Sequence, residues 1–225
     1  MGQRAGVHGT QEGALTVERS PPSRVLEFYF DFMSPFAYLA HTQLPVLAAK
    51  YGLRIDYHAI DLPAAKLAAG NTAPPNVSIP VKLRYLVTDM QRWAKRYGVP
   101  LVFPQTLKSG RLNRGIYFAV DRRCAEDYVR AAWLPTWGEG GDMDDEALIQ
   151  GVARSMGWDA AEFLGFIDSS EAHKRYALDN RDAQARGVFG APTMMLGEQM
   201  WWGNDRLGFL EEYLAETRDE RGEMR

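Results

Sequence analysis

The chain has 225 residues, 46% hydrophobic and 24% charged, with 26 basic against 29 acidic side chains and a net charge of −3. One generous domain fits that length and composition. The missing basic surplus argues against nucleic acid or an anionic membrane surface as partner, and no apolar run approaches the roughly 18 residues of a membrane span. The single cysteine, Cys124, excludes an internal disulfide, a dithiol redox pair and a cysteine-rich metal site.

Residues 1–24 are rich in Gly, Ser, Thr, Arg and Gln and read as a disordered extension ending at Pro21-Pro22. They carry no secretory hydrophobic run, and Gly6 stands where myristoylation needs Ser or Thr; a cytoplasmic location follows by default. Order is predicted from Val25 to Asp31, a nearly continuous apolar run suited to a strand covered on both faces. Ser34-Pro35 then signals a helix start. That helix runs through Leu39, Leu44 and Leu47 to Tyr51, with a kink expected at Pro45 and a stop at Gly52. Leu53 to Ile60 alternates as a second strand, so the opening unit is a strand–helix–strand crossover with a parallel pair.

The middle is helical. After a loop at residues 70–76, Ser78-Ile79-Pro80 opens a helix carrying Leu86, Met90, Trp93 and Tyr97. A short extended piece, residues 99–104, precedes one helix from about Asn113 to Trp133. Another starts at Asp144 or Asp145, a third at Asp159 with Glu162 completing a capping box, and a last one spans about Ser170 to Arg186. Strand character returns as a hairpin, Thr193–Leu196 and Gln199–Trp202, after which Asn204-Asp205 caps a closing helix through Leu207, Leu210 and Leu214, with a frayed tail beyond Glu216. The pattern is an α/β fold, a mixed sheet with a large α-helical insertion between the second and third strands. Its sheet domain is discontinuous (25–62 and 186–217) and the helical insertion covers 63–185.

Ser34 sits where a strand feeds a helix N-terminus, which favours an anion. Taken alone it reads as an N-cap, and the same is true of Asn204-Asp205. Ala191-Pro192, just before the third strand, is a place where proline is often cis and the preceding backbone is free to pair with an extended ligand. His8, His41, His58 and His173 show no metal-ligand spacing, and the acids at 142, 144, 145 and 146 fit a solvated helix start. Met194, Met195 and Met200 read as core fillers, and Cys124 as a small buried residue inside a helix.

Three segments, Asp31-Phe32-Met33-Ser34-Pro35-Phe36-Ala37-Tyr38-Leu39, Gly190-Ala191-Pro192-Thr193 and Trp202-Gly203-Asn204-Asp205-Arg206, resemble those of the 2-hydroxychromene-2-carboxylate isomerases, relatives of the kappa-class glutathione transferases. Gly70-Asn71, Pro74-Pro75, Lys82 and Tyr85 add to the resemblance, which covers about Val25 to Leu214. It implies a thioredoxin-like fold, with Ser34-Pro35-Phe36-Ala37 where dithiol relatives carry Cys-x-x-Cys. It also implies glutathione as cofactor, an aromatic-derived carboxylate as substrate and a homodimer.

By the same resemblance, Ser34 donates to the glutathione sulfur and favours its thiolate, with Pro35 and Phe36 beside it. Ala191, before Pro192, pairs its backbone with the cysteinyl unit. Asn204 takes the γ-glutamyl carboxylate, Asp205 the γ-glutamyl ammonium, and Asn71 reaches the peptide from the insertion. Lys82 faces either the glycyl carboxylate, a substrate carboxylate or only solvent. Tyr85 and Trp202 are candidates for walling the substrate, as are Phe36, Tyr38 and Trp93. The implied reaction is a cis–trans isomerisation by reversible thiolate addition. A kappa-like glutathione transferase or peroxidase and a catalytically silent thioredoxin-like binding module stay open as alternatives. Phe36 stands where relatives often carry tyrosine and supplies no hydroxyl.

Overall fold

The computed structural model describes residues 25–222, with side chains through residue 217; the N-terminal extension and the last residues of the tail lie outside the described residues. β1 (Val25–Phe30) pairs in parallel with β2 (Arg54–Ala59), in register Val25 to Arg54 through Phe30 to Ala59. The hairpin of β3 (Thr193–Leu196) and β4 (Gln199–Trp202) adds antiparallel, giving the order β2-β1-β3-β4. The mixed sheet and its two-sided cover are as expected. On one face Leu26, Phe28, Phe30, Met194 and Leu196 pack against α1 (Pro35–Tyr51) and α9 (Leu207–Gly222). On the other, Tyr29 and Met195 meet Ala65 of α2 (Leu62–Ala68) and Ala183 of α8 (Ser170–Ala185). Both faces of β1 are therefore apolar, which is why its sequence runs without alternation.

Helices α3 (Pro80–Tyr97), α4 (Gly110–Asp121), α5 (Ala125–Trp133), α6 (Glu146–Ser155) and α7 (Ala160–Ile167) fill the middle. Their aromatic core joins the sheet's: Phe32 lies 4.6 Å from Trp133 and edge-on to Tyr128, while Phe118, Trp158 and Phe163 pack together behind it. The apolar residues on the α1 and α9 face of the sheet thus form one continuous cluster with those inside the helical region, while Tyr29, Met195, Ala65 and Ala183 make a smaller cluster on the other face.

Several expectations need correction. α2 was not foreseen, although Asp61 caps it by accepting from the Ala64 amide and a proline sits in its first turn. The single helix expected from Asn113 to Trp133 is two, broken at residues 122–124 with Arg123 at φ 58°. In one unbroken helix at 100° per residue, the buried Tyr128 and Ala132 would lie nearly opposite Leu112, Ile116 and Ala119. The break lets both sets face the core. Cys124 accordingly lies at that junction, half-buried, with its thiol 3.6 Å from the Ala119 carbonyl. Ser78 belongs to a separate 3₁₀ turn and bonds the Pro75 carbonyl, so Ile79 occupies the cap position of α3. Asp159 does cap α7, but the Glu162 carboxylate leaves the capping box to pair with Arg122. α9 continues beyond Glu216, where a frayed tail was expected, to Gly222.

Candidate functional site

The C-terminal end of β1 turns at residues 31–34 into α1, beside the loop that enters β3. Ser34 takes the cap position with extended backbone, and its Oγ accepts from the Ala37 amide at 3.2 Å. The same Oγ donates to the Ala191 carbonyl at 3.3 Å. A plain cap needs only the first contact. The second ties the helix N-terminus to the loop 157 positions later, immediately before the Ala191–Pro192 bond, which is cis. Pro35 and Phe36 follow in the first turn, both half-buried, and Phe36 packs against the main core.

The far side of this loop is fixed by β4. The Pro192 carbonyl accepts from the Gly203 amide at 2.9 Å, and Thr193 pairs with Trp202. Trp202 is half-exposed; its indole lies so close over Gly190 that a Cβ there would meet Nε1 at 2.5 Å, and Phe189 stacks edge-on at 4.8 Å. Gly203, at φ 108°, ends the strand and occupies the cap position itself. The expected capping by Asn204 and Asp205 is therefore not what these side chains do: they lie in a 3₁₀ turn, Asn204–Arg206, that leads into α9. Asn204 is buried, and among the described residues its Nδ2 has no partner in hydrogen-bond geometry. His58, Tyr117 and Trp133 also bury an unpartnered atom, but Asn204 alone follows directly on the Gly203–Pro192 contact. The Tyr97 hydroxyl neighbours it; burial raises that hydroxyl's pKa, and the Asn204 side chain draws it back. Asp205 is exposed and pairs with Arg206.

The remaining candidates are more scattered. Asn71 is exposed in the loop after α2, its amide bonded to the Lys66 carbonyl. Lys82 and Tyr85 are exposed one turn apart at the start of α3. Tyr97, which neighbours Asn204, closes the same helix 12 residues after Tyr85, about 18 Å along its axis. The structure thus brings Ser34, Ala191, Pro192, Trp202, Gly203 and Asn204 together and leaves Lys82 and Tyr85 at the opposite end of α3. Tyr38 is core, buried with its hydroxyl on the Pro100 carbonyl at 2.7 Å, and Trp93 stacks on Tyr97.

Sequence reading passed over a buried polar group under the turn. Asp31 is 1% exposed and accepts from Ser109 Oγ at 2.5 Å, Asn113 Nδ2 at 2.9 Å, and the Met33 and Leu62 amides at 3.0 Å. Burial pushes its carboxyl above the ordinary value, and those donors pull it back. An acid inside an otherwise apolar strand run was the available signal. A cavity of about 1140 Å³ lies elsewhere, lined by Tyr38, His41, Arg130, Leu134, Leu148 and Met156; of the expected ligand and substrate residues it takes in Tyr38 and no other. Among the described residues no cluster of His, Cys, Asp or Glu is placed to hold a metal ion, and no helix is long and apolar enough to cross a membrane.

Residues 25–215 match the DSBA-like thioredoxin domain family. The chain is 49% identical over 191 residues to a 2-hydroxychromene-2-carboxylate isomerase of Pseudomonas putida, covering 85% of this chain and 94% of that one. A solved structure of a 2-hydroxychromene-2-carboxylate isomerase superimposes with a TM-score of 0.86 at 45% identity, over 89% of this chain and 99% of the other. A kappa 2 glutathione S-transferase of Caenorhabditis elegans is 24% identical over 212 residues, 87% of this chain and 94% of its own length.

Proposed function

The chain belongs to the 2-hydroxychromene-2-carboxylate isomerase family, within the DSBA-like thioredoxin domain fold, and on that premise we propose that it is a glutathione-dependent isomerase of 2-hydroxychromene-2-carboxylate type. The observation that carries the reading is the Ser34 hydroxyl held between the first turn of α1 and the Ala191 carbonyl. A tripeptide thiol fits the donor set around it. Ser34 offers an O–H at a helix N-terminus, the Ala191 backbone faces the same point, and the buried Asn204 Nδ2 lacks the acceptor that a ligand carboxylate would provide. When bound, glutathione supplies a thiolate that adds reversibly to the unsaturated substrate, so that the former double bond turns as a single bond before elimination.

The chain's own residues do the rest. Ser34 turns its proton from the Ala191 carbonyl to the sulfur and, with the positive end of the α1 dipole, stabilises the anion. Asn204 and Asp205 orient the γ-glutamyl end and Trp202 walls an aromatic-derived carboxylate. Lys82 and Tyr85, at the far end of α3, and Asn71 in the loop before it take the glycyl or substrate carboxylate only where the ligand extends to them. Cys124 is not the nucleophile: burial raises its thiol pKa and keeps it protonated. In this reading residues 25–62 and 186–217 hold the tripeptide, 63–185 form the insertion, and the protein is a cytoplasmic homodimer. A single species near 25.3 kDa in sedimentation would remove the dimer.

The deciding experiment is an absorbance assay of chromene-carboxylate isomerisation with and without glutathione, run on the wild type and on Ser34→Ala. Turnover is expected only with glutathione. The substitution should lower kcat by about a hundredfold and raise the bound thiol's pKa, read from thiolate ultraviolet absorbance. Turnover without glutathione, or an unchanged thiol titration in Ser34→Ala, defeats the mechanism.

A further inference from the structure

The turn that carries Ser34 is fastened from the helical insertion. Its amides are accepted by side chains or backbone on one side: Phe32 N by Asn113 Oδ1 at 3.1 Å, Met33 N by Asp31 Oδ1 at 3.0 Å, and Ser34 N by the Asp31 carbonyl at 2.9 Å. The Phe32 carbonyl in turn accepts from Trp137 Nε1 at 2.8 Å. Asp31 is itself held by Ser109 and Asn113, and Asn113 Nδ2 also lies within 3.3 Å of the Ile60 carbonyl and 3.0 Å of Tyr176 Oη. Ser109, Asn113 and Trp137 all belong to the helical region, 75 or more positions from Ser34. Capping alone does not call for this scaffold, because Asp145 and Asp159 cap α6 and α7 at exposed turns.

We propose that Asp31, Ser109 and Asn113 form a buried clamp that positions Ser34, so that the insertion fixes where the catalytic hydroxyl points. The consequence for activity rests on the functional reading above; the clamp itself does not. A donor aimed at an external sulfur must be oriented before that sulfur arrives, and a misplacement of about 1 Å lowers rates as much as a hundredfold. Ser109 supplies one of the four donors to Asp31, so its removal loosens the clamp while leaving three in place. Asn113 lies within hydrogen-bond distance of Phe32 N, Asp31, Ser109, Ile60 and Tyr176, and its loss threatens the fold.

The test compares Ser109→Ala with the wild type. The variant is expected to fold, to lose about tenfold in kcat with substrate KM unchanged within about twofold, and to raise the pKa of bound glutathione. Amide hydrogen exchange on the free protein provides an arm that needs no glutathione. Ser34 and Ala37 should exchange about tenfold faster in the variant, while Leu53, whose amide bonds the Ala48 carbonyl at the far end of α1, keeps its wild-type rate. If the wild type binds no glutathione, the functional reading fails and exchange alone decides the clamp. Wild-type exchange at Ser34 and Ala37, or equal acceleration at all three amides, overturns it. So does a variant with a lowered melting temperature but wild-type kcat and thiol pKa.

Discussion

Asp31 and Asn204 are both almost wholly buried, at 1% and 4% exposure, yet they stand at opposite extremes of hydrogen bonding. Asp31 accepts four bonds and sits in a seam where three elements meet. Asn204 leaves an amide nitrogen without a partner at the edge of the sheet. A satisfied buried polar group builds structure, because every bond it makes fixes a neighbour. An unsatisfied one weakens the free protein unless water, an ion or a ligand completes it. The difference between seam and rim separates what holds the site from what binds in it.

The largest effect should come from breaking the seam. Asn113→Ala strands the Phe32 amide, takes one donor from the Asp31 carboxylate and leaves the Tyr176 hydroxyl short of a contact, all out of water. A loss of about 3–5 kcal/mol in unfolding free energy is expected, measured by urea denaturation at pH 7. A loss below about 1 kcal/mol would mean that water or a shifted neighbour replaces the carboxamide, and the seam would no longer be distinguished from the rim.

Protonation offers a second, smaller break. His41, buried beside the Tyr57 hydroxyl at 3.3 Å, has its pKa lowered to about 3, chiefly by burial and secondarily by Arg130. The unfolded chain binds that proton near pH 6.5, so between pH 6.5 and 3 the unfolded state holds more protons than the native one. The neutral imidazole's contribution is complete above pH 6.5 and is lost as pH falls. From pH 7 to pH 5 the loss is about 2 kcal/mol. In His41→Gln that part of the slope should vanish; a wild-type pH dependence in the variant would assign it to other groups.

The sheet was legible because its signals are local. An uninterrupted apolar β1, a two-residue turn at Gly197-Glu198 and caps at Ser34, Asp145 and Asp159 each follow from neighbouring residues. The break between α4 and α5 was also written in the sequence, as an apolar stripe that changes phase near residue 123, but reading 113–133 as one helix hid it. Ser34 and Pro192 were legible as candidates through motif resemblance. The resemblance also set Ser34 and Ala191 against the same cysteinyl unit; their direct hydrogen bond, across 157 positions, was not legible. The seam was hidden for the same reason: Asp31 and Asn113 are 82 positions apart, and nothing near Asn113 distinguishes it from a helix-surface asparagine. Asn204 was read as a cap because polar residues before an apolar helix usually are. Gly203 took that role by its positive φ, and the asparagine was freed for something else.

That freedom defines the smallest and most discriminating effect. Because Asn204 Nδ2 makes no hydrogen bond among the described residues, its interaction with the Tyr97 hydroxyl apart, Asn204→Ala removes a desolvated amide and strands no strongly bonded neighbour. Unfolding free energy should stay within about 0.5 kcal/mol of wild type, or rise. Glutathione affinity should nonetheless fall about tenfold, the 1.4 kcal/mol of one hydrogen bond to a charged group, as measured by calorimetry. The seam variant should show the reverse ordering, with stability lost first and affinity falling only as the fold loosens. If Asn204→Ala instead lost several kcal/mol of stability and bound glutathione as the wild type does, Asn204 would belong with Asp31 as scaffolding, and the unpartnered nitrogen would carry no information about a ligand.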